Sequence, residues 1–134
     1  MLDHVILAVT DLTKSSAFYE AVLKTLGGGH FYDFAGKDGP PGHPDLKGFG
    51  RDQRGFVWLR EGKPSTEGIH IGFVGRSEAE VNAFYDAALA TGGRDNGKPG
   101  ARVFYDPRYY AANLFDPDGY SLEVVYKNWQ HPQT

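Results

Sequence analysis

An α+β fold of two tandem βαβββ modules is the architecture this sequence predicts, on three observations. The opening stretch recurs without a gap 66 residues later, HVILAV…AFYEAVLKTLG from His4 matching HIGFVG…AFYDAALATGG from His70. At that shift His4 pairs with His70, Ala17 with Ala83, Phe18 with Phe84 and Tyr19 with Tyr85. Ala21 pairs with Ala87, Leu23 with Leu89, Thr25 with Thr91 and Gly27 with Gly93, so eight of 24 aligned positions are identical. Each half also runs from an alternating apolar stretch through a helical pattern into further strand-like stretches. Finally, 134 residues is the size of one domain with a real core, so the copies are modules rather than independent domains. The reading is a single domain over 1–134, with module one at about 2–60, module two at about 68–126 and a polar tail at 127–134.

Module one opens on LDHVILAV (2–9), where Val5, Leu7 and Val9 share one face and His4, Ile6 and Ala8 the other. A helix follows from about 13 to 26, with Asp11 or Thr13 as N-cap and Gly27-Gly28 as its stop. Its apolar stripe is Phe18, Ala21, Val22, Thr25 and Leu26. HFYDF (30–34) reads as a strand. The Gly- and Pro-rich stretch 35–54 reads as a loop holding a short strand, either a lid or an inert surface loop. GFVWLR (55–60) closes the module as its last strand.

Module two repeats the plan. GIHIGFV (68–74) sets Ile69, Ile71 and Phe73 against His70, Gly72 and Val74. Ser77 and Glu80 form a capping box before a helix whose stripe is Val81, Phe84, Tyr85, Ala88 and Leu89. ARVFY (101–105) and RYYAANLF (108–115) read as strands, DPDG (116–119) as a tight turn and YSLEVVY (120–126) as the last strand.

Composition removes several function classes. The net charge is −3 and there is no cysteine. Nothing electrostatic favours nucleic acid or an anionic membrane, and thiolate nucleophiles, disulfides and Cys-based metal sites are excluded. No apolar run approaches the 18 residues of a membrane span, and the N-terminus lacks a basic n-region and a cleavage site. The expected setting is cytoplasmic.

The chemistry concentrates in three residues. His4 points away from Val5 and Leu7, His70 away from Ile69 and Ile71, and Glu123 away from Leu122 and Val124. All three therefore belong to the sheet face that the helices leave uncovered. Two imidazoles and a carboxylate suit a divalent Fe, Mn, Ni, Co or Zn ion with positions left open for substrate. A lone histidine on a strand is more often merely satisfied or half-exposed. Here the repeat relates His4 to His70 by the same operation that relates the modules, which sets ligation level with that plainer reading.

These features resemble the vicinal oxygen chelate superfamily. The residues that carry the resemblance are the opening D-H-V-x-L-x-V, the A-F-Y on each helix and the F-D-P-D-G-x-x-L-E close, across residues 2–126. That superfamily includes glyoxalase I, extradiol dioxygenases, fosfomycin-resistance transferases, methylmalonyl-CoA epimerase and bleomycin-resistance proteins. The resemblance implies an open, cup-shaped mixed sheet with helices on its outer face and a metal held by His4, His70 and Glu123. It also implies a homodimer, sometimes with each site assembled from two chains. Four-ligand members carry a carboxylate or Gln on the last strand of module one. Here that stretch is Phe56-Val57-Trp58-Leu59, so the pattern is one of three ligands.

Trp58 either takes the vacated position and narrows the site, or packs in the core while Val57 takes it. Tyr105, Tyr109 and Tyr110 carry hydroxyls that orient a substrate oxygen or act as acid, or else pack in the core or at the rim. Asn113 shares a face with Tyr109. The resulting expectation is a metal-dependent lyase, isomerase or dioxygenase acting on a small molecule with vicinal oxygens. Glu123, Tyr105 and Tyr109 are the candidate catalytic groups, and Trp58, Tyr110 and Asn113 the candidate substrate contacts. The alternative is a metal-free, drug-sequestering binding protein with Trp58 and the tyrosines as an aromatic slot.

Overall fold

A computed structural model describes residues 1–132; Gln133 and Thr134, the end of the expected polar tail, lie outside the described residues. The chain divides into two compact units, Met1–Ser65 and Thr66–Thr134. Unit one holds β1 (Val5–Val9), α1 (Leu12–Lys24), β2 (Gly29–Phe34), β3 (Leu46–Arg51) and β4 (Arg54–Glu61). Unit two holds β5 (His70–Val74), α2 (Glu78–Ala90), β6 (Arg94–Ala101), β7 (Tyr109–Phe115) and β8 (Ser121–Lys127). The α+β class and the duplicated βαβββ order are those read from the sequence.

Both units are wired alike. The sheet orders are β1-β4-β3-β2 and β5-β8-β7-β6. In each, the first strand lies parallel to the last, and the remaining pairs are antiparallel. A parallel pair needs a long crossover, and the helix supplies it. It also covers one sheet face, burying Phe18, Val22 and Leu23 from α1 and Val81, Phe84 and Ala88 from α2. Each large apolar side chain so buried stabilises the unit by roughly 1.5–3 kcal/mol. Leu89, assigned to that stripe by periodicity, is instead 41% exposed near the end of α2.

The helix starts follow their caps. The Asp11 carboxylate accepts the Lys14 N–H at 3.0 Å, so α1 begins at Leu12. Ser77 Oγ accepts the Glu80 N–H at 3.1 Å. The Glu80 carboxylate reaches one residue further out than the capping box requires, accepting from the Arg76 backbone N–H at 2.7 Å. The DPDG turn is held by Asp116, fully buried, whose Oδ1 accepts the N–H groups of Asp118 and Tyr120, each at 2.9 Å.

One strand is misplaced by sequence reading. Residues 102–106 form a turn rather than part of a strand over 101–105, with Val103, Phe104 and Tyr105 well exposed. The true strand, β6, is RDNGKPGA, a stretch to which the sequence pattern assigned no element. Its place at the sheet edge and two breaks in register, Asp95 to Gly97 and Gly97 to Gly100, let such residues pair. The start of the tail is packed: Arg108 lies 4.6 Å above the Trp129 ring and His131 5.4 Å from Tyr126. No helix of the described residues is long and apolar enough to cross a membrane.

Candidate functional site

Strand register defines corresponding positions in the two units. Beside β4, Ile6 faces Trp58; beside β8, Gly72 faces Glu123. Ile6 and Gly72 are equivalent under the 66-residue shift, so Trp58, not Val57, occupies the position equivalent to Glu123. Burial agrees, because Val57 is 1% exposed on the helix side while Trp58 is half-buried.

In unit two the uncovered face carries a hydrogen-bonded chain. Ser121 Oγ lies 2.8 Å from His70 Nδ1, His70 Nε2 lies 3.0 Å from Glu123 Oε1, and the Tyr109 hydroxyl donates to Glu123 Oε2. A neutral imidazole that donates from Nε2 to the carboxylate accepts the Ser121 proton on Nδ1. With the other tautomer, Nδ1–H donates to Ser121 and frees the Nε2 lone pair. The serine hydroxyl serves both arrangements, so it fixes the ring in either.

Two donors bound to one ion at about 2.0–2.2 Å and near right angles stand about 3 Å apart, the spacing of His70 Nε2 and Glu123 Oε1. The pair, hydrogen-bonded as it stands, has the spacing of two ligands on one ion. The described residues hold no group of three His, Cys, Asp or Glu side chains arranged for one. Burial, reinforced by the Glu123 carboxylate, pushes the Tyr109 phenol well above the ordinary tyrosine value, so it stays protonated at neutral pH.

Other residues crowd that face. Asn113 pairs with Glu123 across β7 and β8, and its Oδ1 accepts from Arg102 at 3.3 Å. Lys127 Nζ sits 5.4 Å from the Tyr109 ring centre. Tyr105 packs against Tyr109 from the exposed turn, centroids 5.0 Å apart and the rings inclined at 47°. Tyr110 stands apart, because its neighbour in register is Tyr126 on the helix side and its hydroxyl donates to Asn82 of α2 at 2.7 Å. Arg108 is turned to Asp106 and Trp129.

Unit one carries a pocket of about 540 Å³ instead, lined by His4, Ile6, Phe31, Phe34, Gln53 and Trp58 among others. The His4 Nδ1 lies 2.7 Å from Asp3 Oδ1, an interaction that holds the Asp3 carboxyl below its ordinary value. Trp58 lies over two glycines: a Cβ at Gly48 would stand 2.5 Å from its ring, and one at Gly55 2.9 Å. Periodicity missed Phe31 and Phe34 because a bulge between His30 and Tyr32 shifts the pairing. Without it, the two residues fall on opposite faces. His43, which also lines the pocket, and Leu46 come from the loop region 35–54.

The family model Glyoxalase/Bleomycin resistance protein/Dioxygenase superfamily matches residues 1–124. No curated protein matches the chain significantly. Among solved structures, a glyoxalase/bleomycin resistance protein from Albidiferax ferrireducens T118 is 30% identical, with a TM-score of 0.74 over 94% of this chain and 98% of that one. A glyoxylase/bleomycin resistance protein/dioxygenase domain from Frankia sp. EAN1pec is 18% identical, with a TM-score of 0.70 over 95% and 97%. A mutant of the fosfomycin resistance protein FosX from Listeria monocytogenes, complexed with Mn(II) and 1S,2S-dihydroxypropylphosphonic acid, is 21% identical, with a TM-score of 0.65 over 92% and 87%.

Proposed function

We propose, for a chain that belongs to the Glyoxalase/Bleomycin resistance protein/Dioxygenase superfamily, a metal-dependent enzyme acting on a small substrate with two neighbouring oxygens. Its ligands are His4, His70 and Glu123. The observation that carries this reading is the 3.0 Å approach of His70 Nε2 to Glu123 Oε1, two unlike donors at the spacing of ligands on one ion. The FosX structure with Mn(II) and a dihydroxylated phosphonate supports an ion of the Fe, Mn, Ni, Co or Zn type. Bound there, such an ion supplies Lewis acidity to the substrate oxygens.

The protein's own groups do the rest. Ser121 orients the His70 ring. Tyr109, protonated at neutral pH and anchored on Glu123, is placed to hold a proton near a substrate oxygen. Asn113, its Oδ1 held by Arg102, offers its amide N–H on the same face, and Tyr105 covers Tyr109 from the turn. The assembly read for this chain is a cytoplasmic homodimer.

A second reading, a metal-free binding protein of the drug-sequestering kind, draws support from the aromatic pocket of unit one. Elemental analysis of the purified full chain beside the His4→Ala, His70→Ala double variant separates the two. Near-stoichiometric metal that disappears in the variant is expected, with occupancy falling as pH drops through about 6 because imidazole must be neutral to ligate. No metal after reconstitution with each ion would leave the binding protein standing.

A further inference from the structure

The β3–β4 hairpin carries an anomaly that its own folding does not call for. Its two-residue turn puts Asp52 at φ 55° and Gln53 at φ 65°, both in the left-handed region. Such turns favour Asn-Gly or Asp-Gly, since Gly alone enters that region without strain. Asp at the first position follows the rule. Gln at the second breaks it, and Gln53 is also a residue that lines the pocket of unit one.

The rest of the pocket wall is mostly apolar, with Asp3, His4, His43 and Arg54 as its other polar side chains. Trp58 and Phe31 meet edge to face with centroids 6.4 Å apart, and Phe34, Leu46 and Ile6 complete its apolar part. Gly48 and Gly55 leave the room in which the indole lies. A volume of about 540 Å³ is of small-molecule size.

We propose that this pocket is a subsite for a planar aromatic group of the substrate, the ring lying against Trp58 and the Gln53 amide hydrogen-bonding a polar atom at its edge. The strained turn is kept because it delivers that amide. The proposal deepens the reading above and rests on it for the pocket's belonging to a small-molecule site, but ring binding itself needs no metal.

The test uses full-length protein in EDTA and two probes with one polar group, benzamide and cyclohexanecarboxamide, followed by heteronuclear NMR. The reporters are the Trp58 indole, the Gln53 side-chain amide and the methyl groups of Ile6 and Leu46. Benzamide is expected to shift all four and to bind about three- to ten-fold more tightly than its saturated counterpart. Gln53→Gly is expected to weaken benzamide about five-fold while raising Tm by about 2–4 °C, since glycine relieves the turn. Trp58→Leu, read on the methyls, is expected to abolish the preference for the flat ring, and Glu123→Gln to leave benzamide binding unchanged.

Equal affinity for the two probes, or full affinity in Gln53→Gly, would overturn the proposal. Loss of benzamide binding in Glu123→Gln would overturn its placement in unit one. Resonances that move on dilution without responding to benzamide would put a second copy of the chain on this face, which also overturns it. Failure of metal loading, by contrast, strikes only the metal-dependent reading.

Discussion

Across the uncovered face of unit one, the row from the first to the third strand of the sheet reads Ile6, Trp58, Gly48; in unit two it reads Gly72, Glu123, Asn113. The backbone registers that bring these rows together are the same. On the helix side the copies agree, with Phe18 and Phe84 fully buried and Tyr19 and Tyr85 also buried. The fold therefore depends on one face of each sheet and leaves the other free to diverge. One copy has put an acid, an imidazole and a phenol there. The other has put an indole in the acid's position and removed the side chain beside it.

The largest expected effect comes from the polar row. Glu123→Gln, with an exposed His70 partner and only a partly exposed carboxylate, is expected to lower divalent-metal affinity by about 100-fold while keeping the circular dichroism spectrum. Titration calorimetry with Mn(II) or Zn(II) checks it. Transplanting the acid is the converse. Trp58→Glu is expected to strengthen metal binding about ten-fold by adding a carboxylate at the equivalent position, measured by competition with a chromogenic chelator.

The two glycines of the rows should then behave oppositely. Gly48→Ala forces a methyl into the Trp58 ring and is expected to cost about 1–3 kcal/mol in urea unfolding. At Gly72 no atom lies within 4 Å of the point where a Cβ would stand, so Gly72→Ala is expected to stay within about 0.5 kcal/mol of the parent.

The smallest effect concerns Asp95, which accepts from the Gly97 N–H at 3.0 Å and the Tyr85 hydroxyl at 2.9 Å. Those bonds, the backbone one foremost, hold its carboxyl below the ordinary value. A depressed carboxyl contributes stability that is present above its unfolded pKa of about 3.9 and lost as pH falls through the folded value. Tyr85→Phe should therefore destabilise the protein slightly near neutrality, and the part of that loss due to Asp95 should vanish in strong acid. Thermal melts from neutral pH into acid would show the two curves converging.

Much of this was legible because apolar alternation and caps are local. The strands opening each module, both helices and the closing strand YSLEVVY stand close to where their side-chain patterns put them. That Glu123 and His70 share a sheet face followed from strand parity; that they are neighbours came from the pairing of β5 with β8. What escaped depended on breaks in parity. The bulge at His30 brought Phe31 and Phe34 into one pocket, and edge pairing made a strand of RDNGKPGA. Tyr110 shows the same limit from the other side. Its hydroxyl finds Asn82 on α2, a partner that only the helix packing reveals. Whether Val57 or Trp58 matched Glu123 required the register of β1 on β4, which loop lengths conceal.

The sheet orders bear on synthesis as well. In each unit the strand made last, β4 or β8, lies inside the sheet between the strand made first and the strand made just before it. Until β4 has been added, β1 has no partner in the sheet and α1 has only an incomplete surface to cover. A chain that stops short of that strand can pair only β2 with β3, or β6 with β7, so each unit should complete its sheet late, with its long-range parallel pairing as the slow step. During translation unit one can close its sheet once residue 61 is clear of the ribosome, well before β8 exists. The duplication thus gives the ribosome two short folding problems in succession in place of one long one.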